Sequence, residues 1–183
     1  VIFVTVLIRS GTSAARLYKS EAREEKLSPN IRNTLRKSLQ IYLLFTGLGL
    51  ALYILAGLPV FDAINLTFTT ISTGGMSIKN ANVGFYHDNI VYAITMFLMI
   101  LGATSFTVHY KIIKTRGKSF FKDIQVQVML SLIILATLGV IFLTRNEPVE
   151  TLFHVISAIT TTGANISSPA YMTTWPSLSL MVL

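Results

Sequence analysis

Two short segments place hydroxyl side chains directly before glycine. The candidate residues are Ser72, Thr73, Gly74 and Gly75 in the first segment, and Thr161, Thr162, Gly163 and Ala164 in the second. Glycine permits backbone conformations that other residues avoid, so neighbouring peptide units can turn their carbonyl oxygens to one side. Such oxygens can replace the hydration shell of an alkali cation. The eight residues are therefore predicted to bind a cation through backbone carbonyls, with no transition-metal site.

Each segment follows a stretch that is too apolar for an aqueous loop and too short to cross a membrane. Pro59 and Asp62 open the first stretch, and Pro148 and Glu150 open the second. Proline and an acid are both favoured at the start of a helix. Each stretch is predicted to be a re-entrant half-helix, and the first is expected to end around Ile71. The negative C-terminal end of each half-helix would then face the cation ligands.

The two segments indicate an internal repeat. An offset of 89 residues aligns Gly74 with Gly163 and Ser72 with Thr161. Identity is low elsewhere, so the repeat rests on the order of its elements. This alignment predicts that Gly74 and Gly163 have equivalent roles in a cation pathway built by pseudo-symmetry.

The rest of the chain is typical of a membrane protein. Hydrophobic residues make up 52% of its 183 residues and charged residues 13%, and the mean hydropathy is +0.62. Three runs without Asp, Glu, Lys or Arg, at 38–58, 90–110 and 125–144, are long enough to span the roughly 30 Å hydrocarbon core as helices. The composition therefore predicts an all-α membrane protein with three spans.

Basic residues predict the orientation of these spans. Thirteen of the 15 Lys and Arg residues lie in two segments, Arg9–Lys37 and Lys111–Lys122. The positive-inside rule places both segments in the cytoplasm and the hydroxyl-glycine segments on the outer side. Because the charges flank membrane helices, they indicate topology and contact with the lipid bilayer rather than a nucleic-acid partner.

The hydroxyl-glycine segments resemble pore loops of the Trk-type potassium transporters, a superfamily that includes Trk, Ktr and HKT proteins, and the TrkH branch most of all. Phe61-Asp62-Ala63 and the run from Phe68 to Ser77 resemble the second pore loop, and Ser157 to Gly163 resembles the third. The resemblance implies potassium transport across the plasma membrane by four membrane helix–pore half-helix–membrane helix repeats in one chain, which form a pseudo-tetramer. It also implies a homodimer and a cytosolic nucleotide-binding regulatory subunit.

On this resemblance the chain is an internal fragment, with both ends expected to lie within membrane segments. The predicted parts are the end of a repeat-one helix at 1–8, a basic cytoplasmic link at 9–37, repeat two at 38–114 with its pore loop at 59–78, a cytoplasmic loop at 115–124, and an incomplete repeat three at 125–183. In repeat three the span is 125–144, the pore loop is 146–166, and the next span starts at about 177.

Two other functions stay open at this point. One is a secondary transporter with alternating access, in which broken helices bind the substrate. The other is a membrane scaffold subunit without a pore. The sequence contains no Ser-His-Asp set, phosphate loop or paired catalytic carboxylates, so we predict a non-enzyme without a cofactor. His87, His109 and His154 lack metal-ligand spacing; His154 either hydrogen-bonds a neighbouring loop or simply packs.

Overall fold

The structure is a computed structural model that describes residues 31–105, 108–109, 123–144 and 147–166. The predicted parts at 1–8, at 9–30 of the link, at 115–122 and from 177 onward lie outside the described residues. The chain divides into two compact units, one formed by residues 1–44 and 105–120, the other by residues 45–104 and 121–183. The described residues form helices and no strands, which confirms the all-α fold class.

The described part of the chain contains five α-helices and one 3₁₀ helix. They are α1 (Ile31–Leu55), α2 (Val60–Ile71), the 3₁₀ helix (Asn82–Tyr86), α3 (Asn89–Ala103), α4 (Ile124–Thr144) and α5 (Pro148–Ile159). Two of them contain segments long and apolar enough to cross a membrane, Arg36–Leu55 in α1 and Ile124–Phe142 in α4. Only 22% and 17% of these segments is buried within the structure. They therefore differ from soluble core helices and coincide with two of the predicted spans.

Helix α1 departs from its predicted boundaries at both ends. Residues 31–37, assigned to the cytoplasmic link, are already helical, since this stretch is rich in good helix formers and contains neither glycine nor proline. The predicted end at Leu58 is also too late. Gly57 takes a φ of 87°, and the N–H of Leu58 donates to the carbonyl of Tyr53 at 3.1 Å. This left-handed turn closes the helix at Leu55.

Helix α3 is shorter than the predicted span at 90–110. It ends at Ala103, because Thr104 adopts an extended conformation (φ −78°, ψ 139°) and its hydroxyl donates to the Ile100 carbonyl at 2.7 Å. A separate turn follows, in which the N–H of His109 donates to the carbonyl of Ser105 at 3.2 Å. One unbroken helix through Tyr110 is therefore wrong. The 15 residues of α3 extend only about 22 Å, so a membrane crossing by this segment stays a prediction.

Helix α3 lies at the centre of the second unit. Helices α2 and α5 both pack against it, and α5 also packs against α4. Leu98 and Met99 of α3 and Phe153 of α5 are fully buried in this core. The ring of Tyr92 meets the ring of Phe153 edge-on, with centroids 6.0 Å apart. The ends of α2 and α5 are therefore positioned through one shared neighbour.

We expect Tyr53→Phe to reduce stability by about 1 kcal/mol. The Tyr53 hydroxyl lies 2.8 Å from the hydroxyl of Thr95, and both side chains are fully buried. Thr95 keeps a second bond to the carbonyl of Val91 at 2.7 Å, so its hydroxyl stays paired when the Tyr53 hydroxyl is removed. Thermal unfolding in detergent of Tyr53→Phe, Thr95→Val and the double variant measures the coupling. Additive effects would contradict a bond between these hydroxyls.

Candidate functional site: two loops at the ends of short helices

Helices α2 and α5 begin in the same way. Pro59 precedes α2 and Asp62 lies in its first turn, whereas Pro148 opens α5 and Glu150 lies in its first turn. Each helix has 12 residues, which corresponds to about 18 Å and is too short to span a bilayer. Helix α2 ends at Ile71, so its predicted end is confirmed.

The chain enters similar loops after the two helices, loop A (residues 72–77) after α2 and loop B (residues 160–165) after α5. In each loop a threonine and the second residue after it have positive φ: Thr73 at 52° and Gly75 at 63° in loop A, Thr161 at 55° and Gly163 at 76° in loop B. The residue that caps each helix also matches, with φ and ψ of −77° and 0° at Ser72 and of −79° and 0° at Thr160. The two loops therefore begin with the same backbone conformation.

The hydrogen bonds at the helix ends match as well. In loop A the N–H of Gly74 donates to the carbonyl of Thr69 at 2.7 Å, and in loop B the N–H of Thr162 donates to the carbonyl of Ser157 at 2.9 Å. Each bond closes a Schellman motif, in which a residue in the left-handed conformation ends the helix. Glycine usually occupies that position, yet both loops have a β-branched threonine there. A left-handed conformation is strained for such a residue.

An offset of 88 residues therefore relates the two loops, and the predicted offset of 89 is wrong. Thr161 is the counterpart of Thr73, and Gly163 is the counterpart of Gly75 rather than of Gly74. An offset of 89 pairs the first glycine of each segment, Gly74 and Gly163. In the structure the register follows instead from the helix ends and from the positions that need positive φ.

This register changes the composition of the candidate site. Thr160, which was not among the predicted site residues, corresponds to Ser72, and Ala164 corresponds to Met76 beyond the matched glycine. The acids Asp62 and Glu150 also share the offset of 88, since both lie in the first helical turn. The prolines Pro59 and Pro148 are instead 89 residues apart, so these residue types alone do not decide the register.

The carbonyl oxygens of the loops fall into two groups. In the described part of the chain, no hydrogen bond ends on the carbonyls of residues 72–74 or 160–163. By contrast, the Gly75 carbonyl accepts a bond from the Asn82 amide at 2.9 Å, and the Ala164 carbonyl accepts one from the Ser157 hydroxyl at 2.8 Å. Among the described residues, carbonyls that are free to meet a ligand therefore lie before the matched glycine in both loops and, in loop B, also at Gly163 itself.

Loops A and B contact each other through their backbones. A Cβ built on Gly75 would overlap the carbonyl oxygen of Thr162 and would lie 2.8 Å from the carbonyl carbon of Gly163. A residue with a side chain cannot approach loop B this closely. The structure thus brings the second glycine of loop A against the residues just before and at the matched glycine of loop B.

Two hydroxyl groups of loop B bond to each other and to the end of α5. Thr160 and Thr162 are both buried, and their hydroxyls lie 2.8 Å apart. The Thr160 hydroxyl also contacts the carbonyl of Ile156 at 2.7 Å. In loop A the Ser72 hydroxyl donates to the carbonyl of Thr69 at 3.3 Å. These hydroxyls thus bond within the protein, and carbonyls are the better candidates for cation ligands.

The electrostatic environment of the loops favours a cation. Neither loop contains a charged residue, and the last turns of α2 and α5 carry no basic residue. Helices α2 and α5 each end at one of these loops, and the C-terminal end of a helix dipole is equivalent to about half a negative charge.

His154 lies on the same helix as Glu150, with its Nε2 atom 3.9 Å from a carboxylate oxygen.

A small polar network holds the segment after loop A. The hydroxyl of Tyr86 donates to the carboxylate of Asp62 at 2.8 Å, and the ammonium of Lys79 lies 3.4 Å from the same oxygen. Lys79 also stacks over the ring of Phe85, 4.8 Å from its centroid. Burial, together with the bond to Asp62, raises the pKa of Tyr86, so its hydroxyl stays protonated and keeps donating.

The sequence is similar to those of known cation transport proteins. Residues 1–144 match the family model described as TrkH, a cation transport protein. An uncharacterized cation transporter of Methanocaldococcus jannaschii is 41% identical over 165 residues, which are 89% of this chain and 34% of that protein. The Trk system potassium uptake protein TrkG of Escherichia coli is 33% identical over 80% of this chain and 30% of that protein.

The fold has a solved counterpart. The crystal structure of the potassium transporter TrkH from Vibrio parahaemolyticus superposes with a TM-score of 0.77 over 99% of this chain, at 23% identity, and 39% of that protein is covered. The chain thus spans between 30% and 39% of the length of these relatives.

Proposed function

Since the chain belongs to the TrkH family of cation transport proteins, we propose that it forms part of a plasma-membrane potassium transporter and that loops A and B line the selectivity filter. The observation that carries this proposal is the paired geometry of the loops. Both follow short helices and both begin with the same strained backbone. Within the described residues, both also leave carbonyl oxygens without a hydrogen-bond partner before the matched glycine. Repeated strain of this kind is typical of functional sites.

The proposed ligands are the backbone carbonyls of Thr73 and Gly74 in loop A and of Thr161 and Thr162 in loop B. Carbonyl dipoles in a filter replace the water molecules that a potassium ion loses, and the ends of the helix dipoles add to their negative potential. Potassium is the expected substrate because several relatives are named as potassium uptake proteins. Two loops supply only part of a ring, so further loops must complete the coordination.

The proposal extends to topology and partners. The segments Arg9–Lys37 and Lys111–Lys122 face the cytoplasm, loops A and B face the outside, and α1 and α4 cross the bilayer. A homodimer and a cytosolic nucleotide-binding subunit, which the resemblance to Trk-type transporters implies, belong to the same proposal. A transport role of this kind involves no enzymatic chemistry.

The proposed function is tested by growth of a potassium-uptake-deficient bacterium that expresses the complete gene product. We expect growth at low external potassium and saturable rubidium uptake that sodium inhibits only weakly. Cysteines introduced at Thr73 and Thr161 should react with a membrane-impermeant thiol reagent from outside, and potassium should slow the reaction. A protein that reaches the membrane but neither supports growth nor shows this protection would contradict the proposal, and a scaffold role would then be favoured.

A further inference from the structure

The 3₁₀ helix Asn82–Tyr86 is bonded to both loops. The side-chain amide of Asn82 donates to the Gly75 carbonyl of loop A at 2.9 Å. The N–H of Gly84 donates to the Asn165 carbonyl of loop B at 3.3 Å. We call these five residues the bridging segment, because they connect the two candidate filter loops without belonging to either.

The bridging segment approaches loop B at backbone distance. A Cβ built on Gly84 would overlap the carbonyl oxygen of Ile166, the residue directly after loop B. The segment is also secured to α2, since the Tyr86 hydroxyl donates to the buried carboxylate of Asp62 at 2.8 Å. The bridging segment is therefore bonded to α2 through Tyr86 and to the two loops through Asn82 and Gly84. It has little freedom to move independently of them.

Asn82 is suited to its position by both its backbone and its side chain. Its φ of 54° is a left-handed conformation that asparagine tolerates better than most residues. Its amide oxygen accepts a bond from the N–H of Val83 at 2.8 Å, which leaves the amide nitrogen directed at Gly75. The amide oxygen and the amide nitrogen of Asn82 therefore each have a hydrogen-bond partner, which fixes the orientation of the amide.

We propose that Asn82 is a positioning residue for ion discrimination, which it controls by holding the Gly75 carbonyl. Gly75 has no side chain to restrict the rotation of its peptide units. Its φ of 63° lies in the left-handed region, which glycine adopts without steric cost. The Asn82 bond keeps this carbonyl away from the cation ligands and keeps Gly75 seated against the Thr162 carbonyl of loop B. The inference rests on the proposed function, since it assigns a role to a residue outside the filter itself.

Two variants of Asn82 separate the lost donor from other changes. Asn82→Asp keeps the size, the tolerance of positive φ and the oxygen that accepts from Val83, but it replaces the donor with an acceptor. Asn82→Gly keeps the backbone conformation and removes the side chain without adding charge. The control is Asn80→Asp, which places the same charge two residues earlier on an exposed side chain.

The measurement is potassium uptake by the complete gene product with and without competing sodium, normalised to protein in the membrane. We expect the potassium-to-sodium preference to fall about fivefold in both Asn82 variants, the ratio that one neutral hydrogen bond represents, and to stay unchanged in Asn80→Asp. A change in Asn82→Asp but not in Asn82→Gly would assign the effect to charge and overturn the proposal.

The remaining outcomes are equally decisive. A wild-type preference in both Asn82 variants, beside a working wild-type protein, would overturn this inference and leave the proposed function intact. If neither variant accumulates in the membrane, Asn82 is a folding determinant and the inference is wrong. Absence of potassium uptake by the wild-type protein would instead overturn the proposed function, and the role of Asn82 with it.

Discussion

Replacing Gly75 with alanine is expected to reduce potassium uptake by more than about tenfold. The new Cβ would overlap the Thr162 carbonyl of loop B, and a left-handed backbone alone costs a residue with a side chain about 1–2 kcal/mol. The overlapping group is backbone, so it cannot move aside as a flexible side chain could. Loops A and B should therefore separate, and the carbonyls before Gly75 should lose their alignment. The initial rate of rubidium uptake, per amount of protein in the membrane, measures this effect.

Two other glycines provide matched controls. In the described part of the chain, no atom other than those of the adjoining residues lies within 4 Å of a Cβ built on Gly163. The substitution is therefore opposed there by its φ of 76°, and the effect should be smaller. Gly74→Ala should be the mildest, because its Cβ would meet the side-chain oxygens of Ser72 and Thr69 at 3.3 and 3.4 Å. Uptake that is more sensitive to Gly74→Ala than to Gly75→Ala would contradict the register of 88 residues.

Replacing Gly102 with alanine is expected to destabilise the protein by about 1–3 kcal/mol, the usual cost of overpacking. Alanine normally stabilises a helix relative to glycine by about 1 kcal/mol, so the expected sign is reversed here. The reason is that a Cβ on Gly102 would lie 2.6 Å from the carbonyl oxygen of Ile71. Ile71 is the last residue of α2, so α3 would have to withdraw from the start of loop A.

Gly139→Ala is the matched control for this prediction. Gly139 also lies inside a helix, but apart from the nearby backbone of that helix no atom of the described residues lies within 4 Å of a Cβ built there. Its melting temperature in detergent should therefore equal or exceed that of the wild-type protein, while Gly102→Ala should melt several degrees lower and transport less. Equal melting temperatures for the two variants would show that the contact between α3 and Ile71 does not limit stability.

Helix positions in this chain were largely predictable because their signals are local. Proline and an acid mark the starts of α2 and α5, and the glycines after Ile71 predicted the end of α2 within one residue. Uninterrupted apolar runs likewise located α1 and α4. By contrast, the end of α3 at Ala103 was missed, because residues 104–110 are uncharged and include neither glycine nor proline. That end depends on the conformation of Thr104.

The bridging segment was not predictable from the residue types. The residues around Asn82 are typical of a loop. No sequence motif links Asn82 to Gly75, which lies seven residues earlier. A hydrogen bond from a side-chain amide to one particular carbonyl depends on the path of the chain between them. That path is set here by the left-handed φ of Asn82 and by the anchor of Tyr86 on Asp62.

The sequence by itself determined the class of this protein, its short helices and the hydroxyl-glycine loops that follow them, because composition and helix-end signals act over a few neighbouring residues. Only the tertiary structure decided which glycines correspond and which carbonyls are free. Loop A offers two adjacent glycines, and either could align with Gly163 by residue type. The choice of Gly75 follows from a positive φ and from its contact with the Thr162 backbone, and both depend on how α2 and α5 pack against α3.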